Sequence, residues 1–339
     1  MGRKDMAQGQ HGEQKSTPML KRTEIVFLYD VMDANPNGDP NDENRPRWDP
    51  DTCRAKVSDV RLKRTIRDYW HDYLDEEIFC RQIEKEDGTI QDGKDRAEDF
   101  YKQVEKEAGA AKNVLAKRGL IQRRVLSDCI DVRVFGATIP VAATKKNEKD
   151  SSVTLTGPVQ FAMGTSLNET QPRFIKGTGA FASGQGAQQK TFREEYVLPY
   201  ALIAFYGIVN EQAAKTTEMT DEDADKLYEA IWYGTKNLIT RSKIGQRPLL
   251  LLLVEYETPK AYVGRLDRYL RLDGPQECRD ATDAKVNLMD LVAALSRRKS
   301  DITRIRYAYD ARLALPTPPP QCFLEAVGDG SAVVNLEYK

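Results

Sequence analysis

Histidine is almost missing from this chain: only His11 and His71 occur among 339 residues. Multi-histidine metal centres and histidine-driven acid–base catalysis therefore lose their principal side chain. Cysteine is scarce as well. The five thiols (Cys53, Cys80, Cys129, Cys278 and Cys322) are scattered and odd in number, with no CxxC pair. Neither a disulfide framework nor a zinc site is indicated, and reduced, structural cysteines are expected. Long apolar runs are absent too. The longest, "PLLLLLVEY" from Pro248, falls well short of the roughly 20 residues that a membrane-spanning helix needs. The first twenty residues are polar instead of a charged start ahead of an apolar signal core, so no membrane partner is expected and the cytoplasm is the expected location. Finally, there is no excess of one charge: 51 Lys and Arg face 52 Asp and Glu, a formal net charge of −1. A polyanionic partner would have to be met by a local patch, because bulk charge cannot attract it.

What is present is enough for a substantial core: 40% of residues are apolar. Residues 1–21 show no apolar periodicity and are expected to be a flexible tail, with the folded part spanning 22–339. "TEIVFLYDV", from Thr23, is short and rich in β-formers and reads as a strand. After an intervening loop, "SDVRLKRTIRDYWHDYL" places Leu62, Ile66, Tyr69 and Tyr73 at helical spacing behind Ser58, a plausible N-cap. Residues 80–120 are highly charged and predict an exposed, partly helical insertion. Strand-like segments return with "CIDVRVFGATI" and "SVTLTGPVQFAMGTSL". A stretch rich in Gly, Gln, Ser and Thr, residues 168–194, is too long for an ordinary connection. "YVLPYALIAFYGIV" resumes the sheet, Thr220 and Asp223 resemble a capping box ahead of the helix "DEDADKLYEAIWYGTKNLITRSK", and "PLLLLLVEYE" is a buried strand. Further on, "VNLMDLVAALSRR" predicts a helix and "DITRIRYAYD" a strand. The order strand, helix, strands, helix, strand predicts an α+β fold on a split βαβ, ferredoxin-like core of the kind RNA-recognition domains use.

The loop "YDVMDANPNGDPNDENRPR" (residues 29–47) admits three chemistries. Asp33, Asn35, Asn37 and Gly38 match the opening of a calcium loop, but Asn44 stands where the bidentate glutamate belongs, and a strand precedes the loop in place of a helix. Asp30, Asp33, Asp39, Asp42 and Glu43 could form a metal-dependent phosphodiester-cleaving cluster; the same residue types also serve turns, where Asn and Asp bond locally and Gly supplies positive φ. The third chemistry is anion binding. Arg45, Arg47, Arg54 and Lys56 lead into a helix whose first turns carry Arg61, Lys63, Arg64 and Arg67, and cations at a helix N-terminus oppose its dipole unless an anion is drawn in. A solvated basic helix face is the alternative.

"EIVFLYDVMDANPNGDPNDENRPR" followed by "VSDVRLKRTIRDYW" resembles the N-terminal signature of the CRISPR-associated Cas-seven backbone subunits of Cascade, closest to subtype I-B. "DVRVFGA", "LTGPVQFAMGTSLN", "GAFASG" and "EEYVLPYALIAFYG" extend the likeness from Arg22 to the C-terminus. The resemblance implies a non-catalytic subunit that polymerises along CRISPR guide RNA (crRNA) and presents it for pairing with target DNA, beside neighbouring copies of itself and other Cascade subunits, with no cofactor. It implies a ferredoxin-like palm, a finger insertion over 80–120 and an extended hairpin thumb over 168–194. The RNA contacts it implies are Asn35, Asn37 and Gly38 in the loop, Arg45, Arg47 and Lys56 at its exit, and Ser58, Lys63, Arg64 and Arg67 on the helix. Phe174, Ile175 or Phe181 would wedge between bases, with Lys243 and Gln246 as a further contact. Related backbone subunits cleave target RNA with a loop aspartate, which leaves Asp33 or Asp39 as candidates for the competing, enzymatic reading.

Overall fold

The computed structural model describes residues 21–182 and 190–338. Strand β1 (Arg22–Ala34) opens the fold. The asparagine loop that follows holds three two-residue strands, β2 (Gly38–Asp39), β3 (Arg45–Pro46) and β4 (Trp48–Asp49), then β5 (Arg54–Val57) and helix α1 (Asp59–Leu74). Next come helices α2 (Gly93–Ala108), α3 (Val114–Asp128) and α4 (Ile130–Phe135) and the hairpin β6 (Gly136–Val141) and β7 (Ser151–Thr156). Strands β8 (Val159–Phe161), β9 (Gly164–Ser166), β10 (Arg173–Ala182) and β11 (Lys190–Val209) precede helices α5 (Glu211–Thr217) and α6 (Asp221–Lys236) and strand β12 (Arg247–Tyr256). The remainder contributes β13 (Arg271–Leu272), β14 (Val286–Asn287), α7 (Met289–Ser296), β15 (Ile302–Tyr309), α8 (Gln321–Val327) and β16 (Val333–Asn335).

The main sheet runs β16-β15-β12-β1-β11-β9-β5-β4, with β8 also on β11. All its pairings are antiparallel except β15 with β16. Alternation along β1 explains why its sequence reads as an unbroken apolar run: Ile25, Phe27, Tyr29 and Val31 enter one core and Val26 and Leu28 the other. On the first face, α1 and α6 supply Leu62, Ile66, Trp70, Leu227 and Ile231. Gly234 lets these helices approach, because a Cβ there would lie 3.1 Å from the Tyr69 Cβ and 3.2 Å from the Thr65 carbonyl oxygen. The opposite face is covered by the C-terminal third, through Leu266, Leu291, Leu295 and Phe323. Both expected caps form: Ser58 Oγ accepts from Arg61 N at 3.3 Å, and Thr220 and Asp223 make a reciprocal capping box.

Two expectations need correction. "DVRVF" is helical, not extended; strand structure begins only at Gly136. A short β-branched run is ambiguous by pattern alone, and here Asp131 fixes the turn by accepting the Phe79 and Cys80 amides at 2.8 and 3.1 Å. Phe79, Phe100, Tyr101, Ile121, Val125, Ile139, Val153 and Leu155 form a separate small core. Secondly, α6 stops at Lys236, so Lys243 and Gln246 lie on a turn beyond it and not at its C-terminus.

One strand carries the chain out of the sheet. The Leu198–Val209 part of β11 pairs with β1, whereas its earlier residues pair with β10 from Arg173↔Val197 to Ala182↔Lys190. The resulting two-stranded ribbon is a direct continuation of a central strand. Its tip, residues 183–189, and the side chain of Phe181 lie outside the described residues.

Candidate nucleic-acid interface

The asparagine loop folds on its own polar side chains. Asn35 Nδ2 donates to the Asn44 carbonyl at 2.7 Å, and Asn37 Oδ1 accepts the Ser58 amide at 2.7 Å, which ties the loop to the N-cap of α1. Backbone bonds from Arg47 N to the Asn37 carbonyl (3.0 Å) and from Asn35 N to the Ser242 carbonyl (2.8 Å) complete the frame. Glu43 and Asn44 adopt positive φ, 49° and 57°. Gly38 pairs with Pro46, and a Cβ there would strike the Asn44 side chain and come within 2.9 Å of its carbonyl oxygen. Asn35 and Asn37 thus spend their side chains on shape; among the described residues, no three His, Cys, Asp or Glu gather as a metal-binding group.

The loop's cations stand beside its carboxylates. Arg47 pairs with Asp39 at 2.9 Å, Arg45 with Glu43 at 3.0 Å and Asp42 at 3.6 Å, and Lys56 with Asp49 at 3.8 Å. These exposed or half-exposed pairs are each worth about 0–1 kcal/mol, so a phosphate can replace the carboxylate at little cost. Asp39, Asp42, Arg45, Arg47 and Lys56 line a cleft of about 630 Å³ together with Trp48, Met163, Pro172 and Tyr196. Met163 is 52% exposed. The Arg45 guanidinium sits 4.4 Å over the Tyr196 ring and donates to its hydroxyl at 2.9 Å, while Phe174 packs on the other strand of the ribbon with its centroid 5.1 Å from that ring. The foot of the ribbon and the exit of the loop therefore share one aromatic and cationic wall. Phe174 and Ile175 remain 50% and 43% exposed.

The helix cations divide differently. Arg67 closes on Asp131 at 2.9 Å, with Asp131 fully buried, so its guanidinium is held by a carboxylate inside the protein. Lys63 donates to Asp59 and to Gln160, both at 3.1 Å, and its side chain is 12% exposed. Arg64 is half-exposed and pairs with Asp68 at 2.6 Å. Gln246 is 4% exposed, and its Nε2 has no partner among the described residues. Trp48, Met163 and Tyr196 were missed by the sequence reading. Trp48 could have been suspected as a lone aromatic amid "NRPRWDP"; Met163 and Tyr196 carry no such signal, because long-range contacts place them, β9 beside β5 through Val57↔Gly164 and Tyr196 beside Arg45.

These features define a mixed α/β protein built on a large, mainly antiparallel sheet, with a helical lobe on one side, a strand ribbon projecting from the sheet and a cationic, aromatic cleft at the ribbon's foot. A family model described as "CRISPR-associated protein Cas7" matches residues 21–289, and the chain belongs to that family. It is 33% identical over 313 residues to a "CRISPR-associated protein Cas7" of Haloferax volcanii, with 87% of this chain and 89% of the relative covered. Among solved structures, a chain of a "CRISPR RNA-guided surveillance complex, pre-nicking" has the same fold, with a TM-score of 0.51 at 13% identity over 91% of this chain and 99% of that one.

Proposed function

We propose that this chain is a non-catalytic, guide-RNA-binding backbone subunit of a Cascade complex of subtype I-B, polymerising along crRNA beside other Cascade subunits and leaving bases free to pair with target DNA. The observation that carries this is the cleft at the ribbon's foot, where exchangeable cations adjoin Trp48, Met163 and Tyr196. Cations that track phosphates beside aromatic platforms are how proteins hold single strands without reading sequence. The sheet supports a ferredoxin-like palm: strands β12-β1-β11 with β8 and β9 beyond, and α1 and α6 on one face. The lobe with its own core would be the finger, and the ribbon the thumb that reaches a neighbouring copy. Asn35, Asn37, Gly38 and Ser58 shape the RNA surface, Arg45, Arg47 and Lys56 neutralise phosphate, Arg64 adds charge at the rim, and Phe174 stacks on a base.

The loop carboxylates act as counterions, which favours holding over cutting: Asp39 binds Arg47 and also accepts the Asn41 amide at 3.1 Å. Single-stranded RNA of mixed sequence, titrated across a salt series, tests the assignment. Arg47→Ala with Lys56→Ala removes two phosphate contacts and should flatten the dependence of log K on log salt by about 1.4, at about 0.7 per phosphate, for all sequences alike. An unchanged slope would place the RNA elsewhere. Regularly spaced cuts in complementary RNA by an assembled complex with magnesium, abolished by Asp39→Ala or Asp33→Ala, would establish the enzymatic alternative instead.

A further inference from the structure

The carboxylates at the cleft are not equivalent. Asp39 and Asp49 serve the chain's own turns, accepting the Asn41 and Asp51 amides, each at 3.1 Å. Asp42 and Glu43 have no such duty. Their turn is closed by backbone bonds from Asp42 N and Asn44 N to the Asp39 carbonyl (3.1 and 2.9 Å) and from Arg45 N to the Asp42 carbonyl (2.8 Å). Among the described residues, neither carboxylate accepts a backbone amide. Asp42 meets Arg45 at 3.6 Å, while Glu43 meets Arg45 at 3.0 Å and accepts from the Tyr196 hydroxyl at 3.4 Å. Glu43 also stands at φ 49°, in the left-handed region where Gly, Asn or Asp would cost less backbone energy. Local folding therefore calls for neither side chain, and what the two share is one guanidinium.

Counting charge gives the consequence. The ion pairs of the cleft set Arg45, Arg47 and Lys56 against Asp39, Asp42, Glu43 and Asp49. Three cations meet four carboxylates, so each cation is covered and these pairs carry one negative charge in excess. A favourable local field speeds the arrival of a polyanion by about 10–10³-fold, and a field that sums to a negative charge gives none of that gain. Without Asp42 and Glu43 the same pairs would hold three cations against two carboxylates, and the sign would reverse. Both acids touch Arg45 directly, well inside the screening length of about 10 Å at 0.1 M salt.

We propose that Asp42 and Glu43 are an autoinhibitory mask: they hold the Arg45 guanidinium in place of a phosphate and slow the capture of RNA by the free subunit. The mask rests on the function proposed above. Binding exchanges carboxylate for phosphate on Arg45, at little cost because both acids are exposed to water. Engagement then depends on RNA already held close to the cleft, where effective concentration replaces long-range attraction, and stray RNA in dilute solution is taken up slowly.

The test is stopped-flow association of the full-length, RNA-free chain with a fluorophore-labelled single-stranded RNA of mixed sequence, from about 0.1 M to about 1 M salt. Asp42→Asn with Glu43→Gln should raise the association rate constant about ten-fold at the low end. The gain should shrink toward none at the high end, where the screening length falls to about 3 Å, and the thermal midpoint should match wild type. Glu257→Gln with Glu325→Gln changes net charge equally, beside the start of β1 and on α8, and should leave the rate at the wild-type value. Unchanged or slower association of the Asp42 and Glu43 variant would overturn the mask. So would a gain that persists at high salt, which shows a steric effect, or an equal gain in the Glu257 and Glu325 variant, which shows bulk charge. Asp42→Asn alone should give a smaller gain with the same salt dependence, and it supplies the criterion should the double variant fold poorly. Wild-type protein that binds no RNA at any salt would overturn the backbone function and the mask together, whereas wild type that binds beside a variant that associates no faster overturns the mask alone.

Discussion

Replacing Arg67 by alanine separates a structural cation from an RNA-binding one. Asp131 is fully buried and has three donors: Arg67 Nε at 2.9 Å, Phe79 N at 2.8 Å and Cys80 N at 3.1 Å. Arg67→Ala leaves the buried carboxyl group with two amides and without its arginine partner. Breaking one side of a buried pair costs about 3–5 kcal/mol, and the two surviving amides argue for the lower end, about 3 kcal/mol. Against the usual total of about 5–15 kcal/mol, that is a large loss. The stack of Arg67 on Phe135, 5.2 Å to the centroid, goes as well, and Phe135 in turn packs on Trp70 at 5.4 Å. Urea unfolding followed by tryptophan fluorescence therefore has a local reporter. The expected result is a clearly lower midpoint together with an unchanged salt slope for RNA. A variant as stable as wild type whose slope is flatter by about 0.7 would refute the reasoning and restore Arg67 to the RNA surface.

Three further outcomes are expected. Glu24 is buried in the sheet and accepts from Tyr206 Oη (2.7 Å), Tyr256 Oη (2.6 Å), Val263 N (2.9 Å) and Gly264 N (2.8 Å). At about 1–3 kcal/mol for each donor left unsatisfied, Glu24→Leu should destabilise by several kcal/mol in a urea titration, and Glu24→Gln by less. Gly38→Ala should weaken RNA binding with little change in the global unfolding midpoint, because the clash with Asn44 is confined to the loop. At acid pH, the hydrogen bond and charge of Arg312 hold Asp310 below the ordinary carboxylate range. Its folded pKa lies under its unfolded one, so its contribution is present above about pH 4 and lost as pH falls through the folded value; Asp310→Asn should lower stability at neutral pH by that contribution, and the difference from wild type should vanish at the acid end of a pH series.

The sheet was legible because both of its faces are buried: "EIVFLYDV" and "PLLLLLVEYE" needed only length and composition to read as strands. Ser58 and the Thr220–Asp223 box were legible because capping is local chemistry. Helix α4 was not, since its β-branched run is held helical by Asp131 bonding to residues fifty positions earlier. The same long-range dependence holds around the loop. Sequence located the cationic neighbourhood around the asparagine loop, but could not sort Arg67 and Lys63, whose partners Asp131 and Gln160 are remote in the chain, from Arg47 and Lys56, whose carboxylates lie within the loop. Nor could it find Tyr196, whose contact with Arg45 spans 151 positions of the chain.

The most direct test of the backbone function is the RNA that copurifies with the protein from cells carrying its CRISPR array. Sequencing should return fragments in which a constant, repeat-derived tag flanks variable spacers, released in parallel with the protein as salt is raised. Bound RNA drawn at random from the transcriptome, or protein free of RNA even at low salt, would contradict the account.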